Sequence, residues 1–178
     1  MPNYKKIFVM VLSKHHNHKK WEEGDYVGIK KLSNTKVGSV GQDFIEGLCN
    51  DLDITIEFPE VADKKKGKKR ATQSPWDIKI NGVEFELKTA TEDVGGSFQF
   101  NHIRLHRPYD AVMCLGVSPN DLYFNIWSKA DIVTNKAGTL VSMEAKANAS
   151  YKLTKKPKDL KPIKEFEEVL LIFTKDFK

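Results

Sequence analysis

The chain has 178 residues, the length of one domain, and 40% of its residues are hydrophobic. This apolar content, which includes ten Phe and three Trp residues, excludes a disordered protein and supports a packed core. No apolar run approaches the ~18 residues of a membrane span, and two cysteines cannot build a disulfide framework. We therefore expect a soluble, cytoplasmic protein with no membrane partner.

The formal net charge is +5, and the positive charge is concentrated in two segments. Lys64–Arg70 contains six basic residues and no acid, so the rest of the chain is close to neutral. Lys152–Lys164 contains six Lys and a single acid, Asp159. Two basic segments on a nearly neutral body favour a polyanionic partner, of which nucleic acid is the commonest. A solubilising loop or a targeting signal is the alternative.

The first third of the chain contains three predicted elements. Residues 6–12 are apolar and predict a short strand or the start of a buried helix. Residues 41–52 carry apolar side chains at helical spacing, and residues 54–58 alternate like a strand that Pro59 ends. The basic stretch that follows, residues 62–74, is a loop long enough to be suspected of function.

The second half alternates between strand and helix signals. Residues 97–104 alternate, and residues 111–117 are almost wholly apolar, as in a central strand covered on both faces. Residues 122–127 predict a returning strand. The alanine-rich residues 143–149 favour a helix, and the apolar residues 165–173 fit either a helix or a strand. We predict an α/β fold with a mixed central β-sheet flanked by helices.

Asn81-Gly82 lies between two alternating segments and predicts a β-hairpin with a type I′ turn. This turn places Ile80 opposite Val83 and therefore Asp77 opposite Glu86. One face then collects six apolar side chains: Trp76, Ile78, Ile80, Val83, Phe85 and Leu87. The other face collects five charged side chains: Asp77, Lys79, Glu84, Glu86 and Lys88. A slip of one residue would mix the two sets, so the register is well specified.

The charged face of this hairpin has the composition of a metal site. Directly opposed residues have Cβ atoms about 4.5–5.5 Å apart, so Asp77 and Glu86 can share one cation, with Lys88 on the same side. Mg²⁺ typically takes one or two carboxylates plus water and phosphate oxygens, and it can stabilise charge on a scissile phosphate. The alternative is a solvated face of cross-strand ion pairs. A second Glu-x-Lys, residues 144–146, lacks a hairpin that would bring an acid to it, and we reject it.

Two other patterns do not predict sites. His15-His16-Asn17-His18 lacks the dispersed spacing of an HNH nuclease motif. Cys49 and Cys114 are far apart and do not supply the ligand spacing that zinc needs. We expect both cysteines in the core.

The hairpin resembles the PD-(D/E)xK nuclease superfamily, in which an acid at a strand end precedes Glu/Asp-x-Lys on the next strand. The motif stands here as Pro75-Trp76-Asp77 and Glu86-Leu87-Lys88, with Pro75 one residue before its usual place. The resemblance covers roughly residues 38–130. It implies a single nuclease domain over residues 1–178, with a restriction-endonuclease-like core, a basic loop at 62–74 and a basic C-terminal segment at 150–178.

The resemblance also implies roles for individual residues. Asp77 and Glu86 would hold Mg²⁺, with Mn²⁺ able to substitute, and Lys88 would act on the attacking water. Glu46, on the predicted first core helix, would lend a further carboxylate. Residues 98–104 and 109–116 are similar to small type II restriction endonucleases, in which this region delivers groups that read bases and contact phosphates. The residues assigned to DNA contacts are Gln99, Asn101, His102, Arg104, Arg107, Lys68, Lys69 and Arg70.

The implied activity is sequence-specific cleavage of double-stranded DNA that leaves 5′-phosphate and 3′-hydroxyl ends. A homodimer would match a palindromic site, and a cognate DNA methyltransferase would protect the host's own sites. Two alternatives stay open. The same site could belong to a repair nickase or a junction-resolving nuclease, or the chain could be a catalytically inactive DNA-binding module.

Overall fold

The computed structural model describes residues 3–15, 19–59, 74–144 and 149–177. Within these ranges the α-helices are α1 (Tyr4–His15), α2 (Asn34–Asp51), α3 (Lys129–Val133) and α4 (Phe166–Asp176). The strands are β1 (Ile56–Glu57), β2 (Ile78–Ile80), β3 (Val83–Thr91), β4 (Phe98–Ile103), β5 (Ala111–Val117), β6 (Leu122–Ser128), β7 (Leu140–Ser142), β8 (Tyr151–Lys155) and β9 (Lys161–Pro162). None of the helices described is both long and apolar enough to cross a membrane.

The strands form two sheets. The larger has six strands in the order β1-β2-β3-β5-β6-β9, and the smaller has three in the order β4-β8-β7. In the larger sheet β3 and β5 run parallel, and the other neighbouring strands pair antiparallel. The predicted mixed central sheet flanked by helices is therefore confirmed.

Apolar side chains cover both faces of the larger sheet. On one face, residues of α2 and α4 pack with β2, β3 and β5 around Ile45, Phe85 and Leu170. On the other face, residues of the smaller sheet and α3 pack around Phe98, Cys114 and Ile132. Strand β5 lies between these layers and every one of its residues is buried, as predicted for a central strand.

Helix α2 contains the predicted helical segment up to Asp51 but begins earlier, at Asn34. The Ser33 hydroxyl accepts a hydrogen bond from the Lys36 backbone N–H at 3.4 Å, which caps the helix where it begins. Gly41 faces β3 so closely that a Cβ there would lie 1.8 Å from Thr89 Oγ1. The absence of a side chain at Gly41 therefore sets the distance between α2 and the sheet.

The hairpin of β2 and β3 has the predicted register, with Ile78 opposite Phe85 and Ile80 opposite Val83. Its two turn residues have positive φ, +51° at Asn81 and +86° at Gly82, as a type I′ turn requires. The prediction that Trp76 shares the face of Ile78 is wrong, because Trp76 packs against the apolar cluster on the opposite face. Trp76 precedes β2, so strand alternation does not extend to it.

The structure also bears on the other segments predicted from the sequence. Residues 6–12 lie in α1, and its side chains from Ile7 to Val11 are exposed, so the prediction of a strand or a buried helix start is wrong. Residues 165–173 belong largely to α4. The basic loop predicted at 62–74 lies outside the described residues apart from Ser74. So do residues 145–148 of the segment predicted as helical.

Candidate active site

Asp77, Glu86 and Lys88 meet at the end of the hairpin away from its turn. The Lys88 Nζ lies 2.6 Å from Glu86 Oε1 and 4.0 Å from Asp77 Oδ2. The Asp77 backbone N–H donates to the carbonyl of Phe85 at 2.8 Å, and its Oδ2 accepts from the Leu87 N–H at 2.9 Å. These bonds across the hairpin hold Asp77 beside the Glu-x-Lys segment, so one ammonium lies between two carboxylates.

Glu86 is a fully buried acid with a cation near each carboxylate oxygen. Its side chain is 0% exposed, and Arg107 Nη1 lies 3.4 Å from Oε2 while Lys88 lies near Oε1. Among the described residues, Oε1 has no partner other than the Lys88 ammonium. Carboxylates are almost never fully buried unless they are paired, and a buried charge costs stability unless its partners compensate. The fold thus retains a costly group at the position that the motif assigns to a metal ligand.

The opposite end of the same hairpin serves as an internal comparison. Lys79 and Glu84 pair across the strands at 3.8 Å, and each side chain is 29% exposed. This pair fits the alternative expected for the charged face, a solvated cross-strand ion pair of small energetic effect. Glu86 differs from Glu84 because it is fully buried and pairs with Arg107, which lies on the loop before β5.

The surroundings of Glu86 contain further polar groups inside the protein. Tyr109 is 2% exposed, and its hydroxyl has no hydrogen-bond partner among the residues that the structure describes. Burial raises the pKa of this hydroxyl, and the Glu86 carboxylate raises it further. Lys129 Nζ lies 4.8 Å from the centroid of the Tyr109 ring and donates to the carbonyl of Arg107. Lys129 thus supports the loop that carries both Arg107 and Tyr109.

Cys114 lies beside Lys88 in the sheet, since the two are parallel partners of β3 and β5. Burial raises the pKa of the Cys114 thiol, against the opposing effect of the Lys88 ammonium. Both cysteines are buried and free, as expected of core residues.

The donor set suits a hard divalent cation. Two carboxylates converge, an ammonium lies between them, and one oxygen of Glu86 has no partner among the described residues except that ammonium. Mg²⁺ needs no more acidic ligands than these two, because water and phosphate oxygens complete its octahedron. Among the described residues no group of three or more His, Cys, Asp or Glu side chains converges, so a third acidic ligand is not in place.

Glu46 is not brought to this group. It lies on α2, which packs against the apolar face of the hairpin through Gly41, Ile45 and Cys49, whereas Glu86 and Lys88 point to the opposite face. Glu46 is half-buried and forms no hydrogen bond or ion pair with the part of the chain that the structure describes. Its role in the site stays a prediction.

A cleft of about 620 Å³ adjoins Lys88. One wall comes from the start of α2 and the residues before it, including Lys30 and Asn34, and the floor is β3 from Leu87 to Thr91. The other wall is β4 and the residue after it. Four of the residues assigned to DNA contacts lie here: Gln99, Asn101, His102 and Arg104. Beyond Leu87, no described strand pairs with β3 on the side away from β5, which leaves this edge of the sheet open to the cleft.

The side chains of β4 follow the predicted alternation only in part. Phe98 and Phe100 are buried, and Gln99 and Asn101 are exposed on the other side. The pairing with β8 then shifts between Phe100 and Ile103, where His102 has φ of +60°. Such an irregularity re-aims a side chain. The His102 Nδ1 accordingly lies 3.3 Å from Ser150 Oγ.

The other residues assigned to DNA contacts have different positions. The Arg107 side chain is 10% exposed and pairs with Glu86, so it lies inside the protein rather than on a surface rim. Lys68, Lys69 and Arg70 lie outside the described residues. In the basic C-terminal segment, Lys155 Nζ lies 5.2 Å from the centroid of the Trp127 ring, and Lys161 pairs with Glu165 at 3.5 Å.

Sequence reasoning missed several members of this site. Arg107 as the partner of Glu86, Tyr109 beside it, and Lys30 with Asn34 on the cleft wall were not expected. Glu86 and Arg107 are 21 residues apart and come from different elements, so no local pattern signals their contact. Asn34 follows Ser33, a helix N-cap residue, and that signal could have extended α2 to the cleft.

The comparisons with known proteins give one similarity of structure. No protein-family model matches the sequence, and no curated protein matches it. A solved structure of a nuclease from a fusselovirus superposes with a TM-score of 0.43 at 13% sequence identity, over 80% of this chain and 96% of that chain. The function proposed for this chain therefore rests on the geometry around Glu86 and Lys88.

Proposed function

We propose that this protein is a Mg²⁺-dependent endonuclease that cleaves double-stranded DNA at specific sites, in the manner of type II restriction enzymes. One observation carries the proposal: a fully buried Glu86 shares Lys88 with Asp77, and Lys88 lies in the floor of a cleft that presents Gln99, Asn101 and Arg104. A structural ion pair explains the partly exposed Lys79–Glu84 end of the hairpin, but it does not explain a fully buried Glu86 whose partner Lys88 lines a polar cleft.

Each member of the cluster has a defined part in this reaction. Asp77 and Glu86 would hold the cation, which supplies a Lewis acid for charge on the scissile phosphate and lowers the pKa of a water. Lys88 would orient the attacking water and exchange a proton with it, from a position between the two carboxylates. Arg107 holds the far oxygen of Glu86 and so fixes the direction of the near one.

The cleft would hold the DNA. Gln99 and Asn101 lie on the exposed side of β4, and their amides suit the N6 and N7 edge of adenine. Arg104 suits guanine or phosphate. The reaction would leave 5′-phosphate and 3′-hydroxyl ends, and the enzyme would act as a homodimer beside a cognate methyltransferase.

The experiment is to incubate the protein with supercoiled plasmid, phage DNA and a branched junction in Mg²⁺, in Mn²⁺ and in EDTA. We expect discrete fragments with either metal and none in EDTA. Nicked circles alone would favour a repair nickase, and resolved junctions alone would favour a junction-resolving nuclease. Binding to DNA without cleavage in any divalent metal would leave the inactive DNA-binding module instead.

Two variants separate the site from the rest of the hairpin. Lys88→Ala should abolish cleavage while DNA binding persists, because the residue acts on the water. Lys79→Ala is the matched control, since Lys79 lies on the same face of the hairpin and its only ion pair with a described residue is with Glu84. Equal loss of cleavage in both variants would mean that hairpin stability, and not Lys88, limits the reaction.

A further inference from the structure

Gln99 has a side-chain amide of fixed orientation on the wall of the polar cleft. The side chain is exposed on β4, and its Nε2 donates a hydrogen bond to Asp93 Oδ2 at 3.1 Å. Slight burial raises the pKa of Asp93, but the hydrogen bonds it accepts, chiefly from Ser97 and Gln99, outweigh this effect and hold the pKa below its usual value. The carboxyl is therefore ionised at neutral pH and can only accept. The amide nitrogen, and not the amide oxygen, must face it.

The hydrogen bond to Gln99 is not what closes the turn between β3 and β4. The Asp93 N–H donates to the Ser97 carbonyl at 2.7 Å, and the Gly96 N–H donates to the Asp93 carbonyl at 3.1 Å. The Ser97 N–H donates to Asp93 Oδ1 at 2.9 Å. The first carboxylate oxygen thus belongs to the turn. The second accepts from Gln99, and its effect is to orient the amide.

The orientation of the amide decides which base edge Gln99 can contact. One Nε2 proton is bound to Asp93, so the other proton and the Oε1 acceptor stay available, and neither bonds to a described residue. One donor beside one acceptor matches adenine, whose edge in the major groove offers the N7 acceptor and the N6 donor. Guanine offers two acceptors there, O6 and N7, and one of them would face Oε1. The same amide turned over would present two donors and would suit guanine.

We propose that Asp93 is a positioning residue that makes Gln99 select adenine over guanine in bound DNA. The inference rests on the proposed function and deepens it, because the same cleft would hold the DNA. Asn101 is an internal comparison on the same side of β4. It also lines the cleft, but its amide forms no hydrogen bond with the described residues, so both of its orientations are open.

The charge of Asp93 supports a role in selection rather than in affinity. Asp93 is the only acid among the described residues that line this cleft, where Lys30, Lys88 and Arg104 supply positive charge. A carboxylate beside DNA phosphates weakens binding by repulsion. Lys20, whose Nζ donates to the Asp93 carbonyl at 3.4 Å, offsets part of this repulsion. An acid that opposes phosphate binding but fixes a base-reading amide is explained by discrimination between bases.

Asp93→Asn tests this role by reversing the amide. The Ser97 N–H should keep its bond to Oδ1 of the new side chain, which places the new amide nitrogen against Gln99. Because that nitrogen donates, the Gln99 amide should turn over and present two donors to the DNA. We expect the wild type to prefer adenine over guanine at one position by about tenfold or more, and Asp93→Asn to prefer guanine there.

The measurement is selection of bound duplexes from a randomised DNA pool in Ca²⁺, followed by titration of single sequences. Gln99→Ala identifies the position, since the preference between adenine and guanine should disappear there. Adding Asp93→Asn to Gln99→Ala should change nothing further at this position, because Asp93 acts through Gln99. Asp121→Asn is the matched control. It removes an exposed acid that does not line the cleft and should leave the preference unchanged.

The outcomes separate this inference from the proposed function. A preference for adenine that persists in Asp93→Asn, or a wild type that binds DNA without distinguishing adenine from guanine at the Gln99 position, overturns the inference and leaves the nuclease proposal standing. A wild type that binds no DNA overturns both.

A second measurement needs no DNA. In ¹⁵N-labelled wild type, the two Nε2 protons of Gln99 should differ more in chemical shift than the amide protons of Asn101, because one of them binds a carboxylate. In Asp93→Asn the difference should fall to that of Asn101. Gln99 signals that are identical in the two proteins overturn the inference, whatever the variant does to DNA binding.

Discussion

Arg107 and Glu86 form an ion pair inside the protein, with Arg107 Nη1 3.4 Å from Glu86 Oε2. The guanidinium takes one carboxylate oxygen, and the other is left to face Lys88 and Asp77. A carboxylate held in this way presents a single oxygen in a fixed direction, as ligands of a compact cation require. The pair therefore connects the stability of the core with the chemistry of the candidate site.

Arg107→Gln should destabilise the protein and make its stability more dependent on metal. Removal of one partner from a buried ion pair costs about 3–5 kcal/mol, because the remaining charge is left uncompensated. A divalent cation bound at Glu86 would restore part of that charge balance. We therefore expect a lower unfolding temperature in EDTA and a larger rise on addition of Mg²⁺ than the wild type shows, measured by calorimetry.

The control for this prediction is Arg104→Gln. Arg104 lines the cleft and forms no ion pair with the described residues, so its replacement should change the unfolding free energy by less than about 0.5 kcal/mol. If Mg²⁺ raises the unfolding temperature of Arg107→Gln no more than that of the wild type, the pair is structural and does not tune the metal site.

The hairpin was predictable because its determinants are local. Asn81-Gly82 defines the turn, and the alternation of charged and apolar residues defines the register, so Asp77, Glu86 and Lys88 were placed together from sequence. The partners of Glu86 were not predictable, since Arg107 reaches it from a loop before another strand. The exposure of the apolar side chains of α1 was also missed, because an apolar run predicts burial.

Gly41 provides a test of the packing that positions the hairpin. A Cβ at this residue would lie 1.8 Å from Thr89 Oγ1, so Gly41→Ala must push α2 away from β3. Overpacking of this kind typically costs about 1–3 kcal/mol. Gly47→Ala in the same helix is the control, because a Cβ at Gly47 would meet no other described part of the chain within 4 Å. We expect Gly47→Ala to stabilise by about 0.5–1 kcal/mol in urea denaturation. Destabilisation by both variants would contradict the packing account.

Stability should fall at high pH because of the buried thiols. Burial raises the pKa of Cys49 from 9.0 to about 11, and it also raises the pKa of Cys114. Well below pH 9 the thiols are protonated in both the folded and the unfolded state, so the full stability is present. As the pH rises from about 9 to 11, only the unfolded chain loses these protons. Ionisation of each thiol in the unfolded chain therefore lowers the free energy of unfolding by at most about 1.4 kcal/mol per pH unit.

The measurement is the unfolding free energy of wild type and Cys49→Ala at pH 8 and at pH 10. Other groups titrate in this range, so the difference between the two proteins isolates the thiol. We expect the wild type to lose more stability than the variant over this interval. Equal losses would mean that Cys49 ionises as readily in the folded protein as in the unfolded chain.

Lys30 should contribute to DNA binding although sequence reasoning did not select it. It lies on the wall of the cleft opposite β4, where its Nζ donates to Thr91 Oγ1 at 3.1 Å and lies 5.2 Å from the centroid of the Trp21 ring. These contacts hold the ammonium at the mouth of the cleft. A phosphate bound there would release about one counterion. Lys30→Ala should therefore reduce the slope of log K for DNA binding against log salt concentration by about 1.

The test compares Lys30→Ala with Lys31→Ala by titration of DNA at several salt concentrations in Ca²⁺. Lys31 is the adjacent exposed residue and does not line the cleft, so its removal should leave the slope nearly unchanged. Lys30 also supports Thr91, and unfolding temperatures of both variants therefore accompany the titrations. A lower slope for Lys30→Ala with an unchanged unfolding temperature assigns the residue to the phosphate path. Equal slopes for the two variants would mean that the DNA phosphates do not bind beside Lys30, just before α2.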